Sequence, residues 1–363
     1  MTESAEPGAG RRPSIKDVAE RAGVSFQTAS KVLRGGGTVA KATRERIHSI
    51  AEDLGYVPND VARSLVTRRT RTIGVAVGDL SDHIVAQFVA GAEHEAREQQ
   101  HSVLIVSVDT GADGGERSLR TLLERRVDGI FVAAPRLEVD ARLGALLRGP
   151  VPVVSIHGVA GGGVRLVGSD QQETARLATA HLIELGHTRI GMVTGHTTRR
   201  VTHSRTRGYE AALVAAGLEP VDTMIAAGDW QPGGGYAATA TLLDRRPDIT
   251  ALYVQNDLMA VGALHAASDR GLRVPSDLAV IGCDDIPTAA HTVPTLSTVR
   301  MPFAETGARA VRMLIEGTGG AGADGRHHRV LLPVRLVCRQ SCGCNGSTEA
   351  SVRTPAGAEE GRR

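Results

Sequence analysis

The stretch SIKDVAERAGVSFQTASKVLRGGGTV, residues 14–39, holds two short helical patterns parted by one glycine. Ser14 can cap the first pattern, and Asp17 suits its opening turn, where a carboxylate meets the positive end of the helix dipole. Ile15, Val18, Ala19 and Ala22 recur at the spacing of one helix face. Gly23 can take the left-handed conformation that stops a helix. Ser25 caps the second pattern, with Ala29, Val32 and Leu33 turned inward, and the glycines at 35–37 end it. A third pattern, KATRERIHSIAEDLGY, places Ile47, Ile50, Ala51 and Leu54 on one face, with Gly55 as its stop. Three short helices with a tight turn between the first two predict a helix-turn-helix unit.

The unit sits in the basic part of the chain. Residues 11–71 carry 13 Lys/Arg against 6 Asp/Glu, whereas the 363 residues together net only +2. A basic head on a mildly acidic body predicts a polyanion as the head's partner. In helix-turn-helix geometry the start of the second helix faces the base edges of the major groove. That places Phe26, Gln27 and, one turn on, Ser30 and Lys31 as base readers: Gln pairs with adenine, Lys donates to guanine, and an aromatic edge touches a thymine methyl. Ser14, Ser25 and Thr28 at the helix starts suit phosphates. Double-stranded DNA is therefore the expected partner.

The residues IKDVAERAGVS, TASKVL, TRERI, LGYVPN and ARSL resemble the DNA-binding domain of the LacI-type transcription regulators. The chain departs from that pattern at Ala29, Lys31, Arg34 and Ala40, where the family usually has Val, Arg, Asn and Ser. Ala40 forgoes a side-chain cap, at a cost of about 1 kcal/mol. The resemblance gives VPNDVARSLVTRRTRT a role as well. A helix over 59–66 is too short to be stable alone, and the family forms it on the operator against the same helix of a second subunit. It implies that Asn59 and Arg63 contact DNA there and that Leu65 wedges into the minor groove.

Beyond residue 71 the pattern alternates. The apolar runs TIGVAV, SVLIVSV, VDGIFVAA and VPVVSI read as strands with helices at 85–99, 116–126 and 140–147 between and after them. A second series, RIGMVTG, TMIAAG, ITALYVQ and LAVIGC, goes with helices at 173–185, 205–216, 236–243 and 258–269. Two such series predict an α/β body of two doubly wound parallel-sheet lobes, like a periplasmic binding protein. TLSTVR and ETGARAVRMLIEG are expected to return to the first lobe, and RVLLPVRLVCRQS to end in the second. The expected division is a disordered tail at 1–13, the head at 14–57, hinge helix and linker at 58–70, the body at 71–345 and a disordered tail at 346–363. Within the body, lobe 1 takes 71–168 and 298–328, and lobe 2 takes 169–297 and 329–345. The resemblance continues through LIELGHTRIGMVTG, NDLMAVGAL, GLRVPSDLAVIGCDDIP and LSTVRMP, and so covers the chain from Ser14 to Gly343.

Ligands of such folds bind at the carboxyl ends of the strands. Those loops carry Asp79, Asp82, His83, His157, Arg205, Trp230, Asn256 and Asp284. The resemblance implies that Arg205, Asn256 and Asp284 bind effector hydroxyls and that Trp230, the chain's single tryptophan, stacks on a sugar ring. The chemistry agrees, since planar Arg and Asp groups take neighbouring hydroxyls in pairs. His157 departs from the acid that sugar-binding members often carry.

No catalytic set is present: there is no GxxxxGK[ST], HExxH or GxSxG segment. Cys338, Cys342 and Cys344 with His327 and His328 raise a zinc site, but C-x3-C-x-C spacing is poor for a closed tetrahedron, so no metal and no cofactor is expected. No apolar run reaches membrane-spanning length, and the polar opening residues carry no secretory signal. The expectation is a cytoplasmic, nucleoid-associated repressor: a homodimer on a palindromic operator, released by a small effector, a sugar first. Family members form dimers or dimers of dimers. The alternatives are a purine- or nucleoside-responsive or corepressor-dependent regulator, and a solute-binding protein. The last needs a signal peptide and no DNA-binding head.

Overall fold

A computed structural model describes residues 13–33, 36, 39–57, 69–108, 114–159, 163–317 and 329–344. The chain divides into two compact units, residues 1–70 and 71–363.

The head has three helices, α1 (Ile15–Arg21), α2 (Phe26–Leu33) and α3 (Lys41–Asp53). At the start of α1 the Asp17 carboxylate accepts hydrogen bonds from the Ser14 N–H and hydroxyl, both at 2.7 Å. Ser25 Oγ accepts the Thr28 N–H at 3.1 Å and so caps α2. Gly23 and Gly55 stand at φ +60° and +62°, in the left-handed region that a helix stop requires. Ala40 begins α3 with no side-chain cap. Val18, Ala22, Val32, Ile47 and Ala51 close the core between the three helices. Asn59, Arg63 and Leu65 of the expected hinge lie outside the described residues, as do His327 and His328.

The body holds two all-parallel sheets. The first has six strands in the order β11-β5-β4-β3-β1-β2: β1 Thr72–Val77, β2 Ser102–Ser107, β3 Gly129–Ala133, β4 Val153–Ser155, β5 Arg165–Ser169 and β11 Arg329–Leu332. The second has four in the order β7-β6-β8-β9: β6 Ile190–Thr194, β7 Ile225–Ala227, β8 Ala251–Val254 and β9 Ala279–Ile281. Buried residues of both lobes, among them Val75, Phe131, Met192 and Tyr253, belong to one apolar cluster.

Helices pair on the sheets as expected of doubly wound folds, His83–Glu98 with Phe303–Gly317, Gln171–Glu184 with Arg200–Ala215, and Pro232–Arg245 with Asp257–Asp269. The first pair meets backbone to backbone. A Cβ on Gly91 would strike the Ala304 carbonyl, and one on Gly307 the Phe88 carbonyl.

The returning segments differ from expectation. RLVGS forms β5, an unforeseen strand, because it mixes Arg, Gly and Ser with only two apolar residues. β5 offers an open edge on which RVLL pairs as β11, Arg329 opposite Leu166. Residues 329–332 therefore complete the first sheet, not the second lobe. β10 (Thr298–Arg300) goes the other way. It pairs antiparallel with β12 (Arg335–Val337) and is bridged to the second lobe through Ile281–Ser297 and Asp284–Arg300.

Candidate effector cleft and DNA-reading surface

Arg205 organises a buried polar cluster at the ends of the second sheet's strands. It lies on helix Arg200–Ala215 and is almost wholly buried. Its Nε donates to Gln171 Oε1 at 2.9 Å, its Nη1 donates to the Gln255 carbonyl, and its Nη2 stands 3.8 Å from Asp284 Oδ1. The guanidinium carbon is 5.9 Å from the centre of the Trp230 ring. A buried cation is tolerable here because two neutral acceptors and a carboxyl surround it.

Trp230 sits in the left-handed region at φ +72°. Its indole lies over Gly195, where a Cβ would collide with the ring. The indole N–H is buried with no acceptor among the described residues, and such a donor suits a ligand that brings one. Asn256 already holds two partners within the protein. Its Oδ1 accepts the Met259 N–H at 2.9 Å and caps helix Asp257–Asp269, and its Nδ2 donates to the Trp230 carbonyl at 3.1 Å. The residue holds the tryptophan in place.

Asp284 and Asp285 divide their duties. Asp284 is buried at φ +120°, and burial raises its carboxyl to about 7 against the pull of Arg205. Asp82 also raises it, which places the first lobe's loop in electrostatic reach of this carboxyl. Beneath lies Asp257, which accepts from the Thr298 hydroxyl at 2.6 Å and from the Ile286 N–H at 2.9 Å. Burial, with Asp284 beside it, drives the Asp257 carboxyl far up. Asp285 instead takes Arg300 and Arg339, each at 2.6 Å, and ties β10 to the turn after β12.

Asp79, Asp82 and His83 are exposed at the end of β1. Asp82 caps helix His83–Glu98 through the Ile84 N–H at 2.8 Å, His83 Nε2 lies 2.7 Å from Gln87 Nε2, and hydrogen bonds from Ser81 lower the Asp79 carboxyl. His157 is half-buried, 3.8 Å from Glu138 Oε1. Burial, followed by the charges of Arg199, Arg205 and Arg200, lowers His157 to about 4. Glu138 is buried, and burial raises its carboxyl despite Arg199 and Arg200. Glu138 thus sets a buried carboxyl beside His157. Sequence reasoning missed Glu138, Gln171 and Gln255, whose residue types carry no signal before the fold assembles them.

On the head, Phe26 is 48% exposed, and Gln27 and Lys31 are exposed beside it. Ser25 is exposed and Thr28 half-buried. Ser30 corrects the expectation: only 4% exposed, it packs within the head. It follows Ala29 on the inward side of α2 and does not share the outward face.

The comparisons agree with both parts. Residues 14–59 match the family described as bacterial regulatory proteins, lacI family, and residues 179–342 match a periplasmic binding protein-like domain. Catabolite control protein A of Priestia megaterium is 34% identical over 330 residues, 90% of this chain and 98% of that protein. The chain belongs to the LacI family. A lac repressor dimer bound to operator and the anti-inducer ONPF superposes on this family member with a TM-score of 0.82, at 30% identity, covering 92% of this chain and 99% of that one. A complex of the regulator CelR with cellobiose gives 0.69 at 32% identity, covering 91% and 100%. This LacI-family chain is a DNA-binding transcription regulator and not an enzyme. Among the described residues no helix is long and apolar enough to cross a membrane.

Proposed function

We propose that this LacI-family regulator is a cytoplasmic repressor that binds a palindromic operator as a homodimer and is released by a sugar. The observation that carries the ligand class is the trio of Arg205, Asp284 and Trp230: a planar donor, a carboxyl acceptor and an aromatic face with a free indole N–H. That set fits vicinal hydroxyls over the C–H face of a pyranose. The likeness to a regulator complexed with cellobiose points the same way. On the head, Phe26, Gln27 and Lys31 are assigned to base edges, and Ser14, Ser25 and Thr28 to phosphates. Asn59, Arg63 and Leu65 are assigned to the hinge and minor groove from the family pattern. Asp79, Asp82, His83 and His157 are assigned to the rim of the effector site, and Asn256 supports Trp230. A ligand held from both lobes favours the closed body, and it shifts the operator equilibrium only by its differential affinity for that state.

The test is an operator-binding titration with mono- and disaccharides, run on wild type and Arg205→Ala. A sugar is expected to weaken wild-type binding, while Arg205→Ala binds operator as wild type does and ignores that sugar at the same concentration. A mutant that responds like wild type removes Arg205 from the site. Operator affinity that rises with ligand makes the ligand a corepressor.

A further inference from the structure

The chain's last described turn brings three thiols to one histidine. His181 stands in the last turn of helix Gln171–Glu184. Cys338 follows β12, Cys342 ends the short 3-10 turn Gln340–Cys342, and Cys344 lies two residues on. Gly343 is left-handed at φ +78° and turns the chain back. The sulfurs of Cys342 and Cys344 thereby both lie by the Arg339 carbonyl, at 3.7 and 3.4 Å. Nε2 of His181 is 3.4 Å from Cys342 Sγ and 3.5 Å from Cys338 Sγ. One ligand atom from each of the four residues lies within 4.8 Å of all the others.

We propose that His181, Cys338, Cys342 and Cys344 form a structural Cys3His site for zinc. A tetrahedral ion with Zn–S bonds of about 2.3 Å and Zn–N of about 2.0–2.1 Å has sulfur–nitrogen edges of about 3.5 Å. The two sulfur–histidine separations match that edge. The four donors are thiolate and imidazole, the soft set that selects zinc over magnesium or calcium. Four protein ligands close the tetrahedron, so the ion has a holding role and no open position for water.

One neighbouring hydroxyl donates to the Cys342 sulfur. Ser297 Oγ accepts the Arg339 N–H at 2.8 Å, so its one proton is left for Cys342 Sγ, 3.1 Å away. Hydroxyl donation to a ligating sulfur is the support that metal–thiolate sites use.

The site staples the end of the body to the second lobe. Ser341, between the ligands, donates its hydroxyl to the Val280 carbonyl at 2.6 Å and accepts the Ser297 N–H at 2.8 Å. A metal at this point fixes β12, its partner β10 and helix Gln171–Glu184 together. The proposal does not depend on which effector the cleft takes.

The full chain, free of any affinity tag and purified under reducing conditions from zinc-supplemented culture, provides the test. Elemental analysis is expected to find about one zinc per chain. Replacement by cobalt(II) is expected to yield thiolate-to-metal charge-transfer absorption and tetrahedral visible bands. Cys338→Ser and Cys344→Ser, at the half-buried ligands, should each retain at least tenfold less zinc after gel filtration, since losing even an outer partner of a metal ligand costs about 10–100-fold in affinity. Cys283→Ser, distant in sequence from the ligands, should retain it. If the ligand variants do not fold, wild-type protein decides: a chelator should release zinc and lower the unfolding midpoint, and zinc should restore it. Wild-type protein with less than about a tenth of an equivalent, no cobalt–thiolate band and freely titrating thiols overturns the proposal. A Cys338–Cys342 disulfide in peptide maps of the same protein overturns it as well.

Discussion

Two residues carry separable readouts. Gln27 is exposed at the start of α2. A base-edge role makes Gln27→Ala relax preference at one base pair per half-site by about 1–3 kcal/mol, measured by competition between operator variants. Equal weakening on all sequences would make Gln27 a backbone contact. Asp284 governs a pH dependence. Its carboxyl is raised to about 7 from an ordinary 3.8, so the folded chain holds a proton there that the unfolded chain has released. The sign follows: this group's contribution to stability is most favourable below about pH 4, falls as pH rises toward 7, and is flat above. A hydroxyl that donates to the carboxylate needs the deprotonated form. Effector affinity should therefore rise by up to about tenfold between pH 6 and 8, read by calorimetry, and Asp284→Asn should flatten the profile. An affinity with no slope across that range in wild type would detach Asp284 from the ligand.

At the scale of elements, the repeated patterns were legible and the irregular ones were not. Helices opened by an acid or hydroxyl and closed by glycine were read to within a few residues, because caps and apolar periodicity are local properties. β5 escaped because its partners, β4 and β11, supply the ladder that its own residues do not advertise. Contacts between helices were equally silent. Gly91 and Gly307 look like weak points in helical stretches, yet they let His83–Glu98 and Phe303–Gly317 touch. Gly91→Ala should lower the stability of the body by about 1–3 kcal/mol through overpacking against a backbone that cannot yield. Denaturant unfolding followed by tryptophan fluorescence is the measurement, and a change within a few tenths of a kcal/mol would mean the helices slide apart freely.

At the scale of the whole molecule, charge and cleft belong to different units. A chain lacking residues 1–70 should lose operator binding and keep its sugar, while the full chain's operator affinity should fall steeply with salt as Lys and Arg release counterions. Retained operator affinity in the truncated chain, measured by fluorescence anisotropy, would move the DNA contact to the body. The sequence by itself determined the helix-turn-helix head, the two α/β series and the loops at the strand ends, since each follows from periodicity, capping and local charge. It also brought Arg205, Trp230 and Asp284 into question through their place after strands. Only the tertiary structure decided what those residues touch. It committed Asn256 to the Trp230 carbonyl, buried Ser30, and set Glu138 beside His157. The cysteines show the reason most plainly. C-x3-C-x-C is a poor zinc pattern along the chain, and the histidines nearest in sequence looked like its partners. The fold instead delivers His181, more than 150 residues away, to the two sulfurs it meets at 3.4 and 3.5 Å. Sequence spacing constrains only groups a few bonds apart, whereas a site assembled across a sheet is specified by packing.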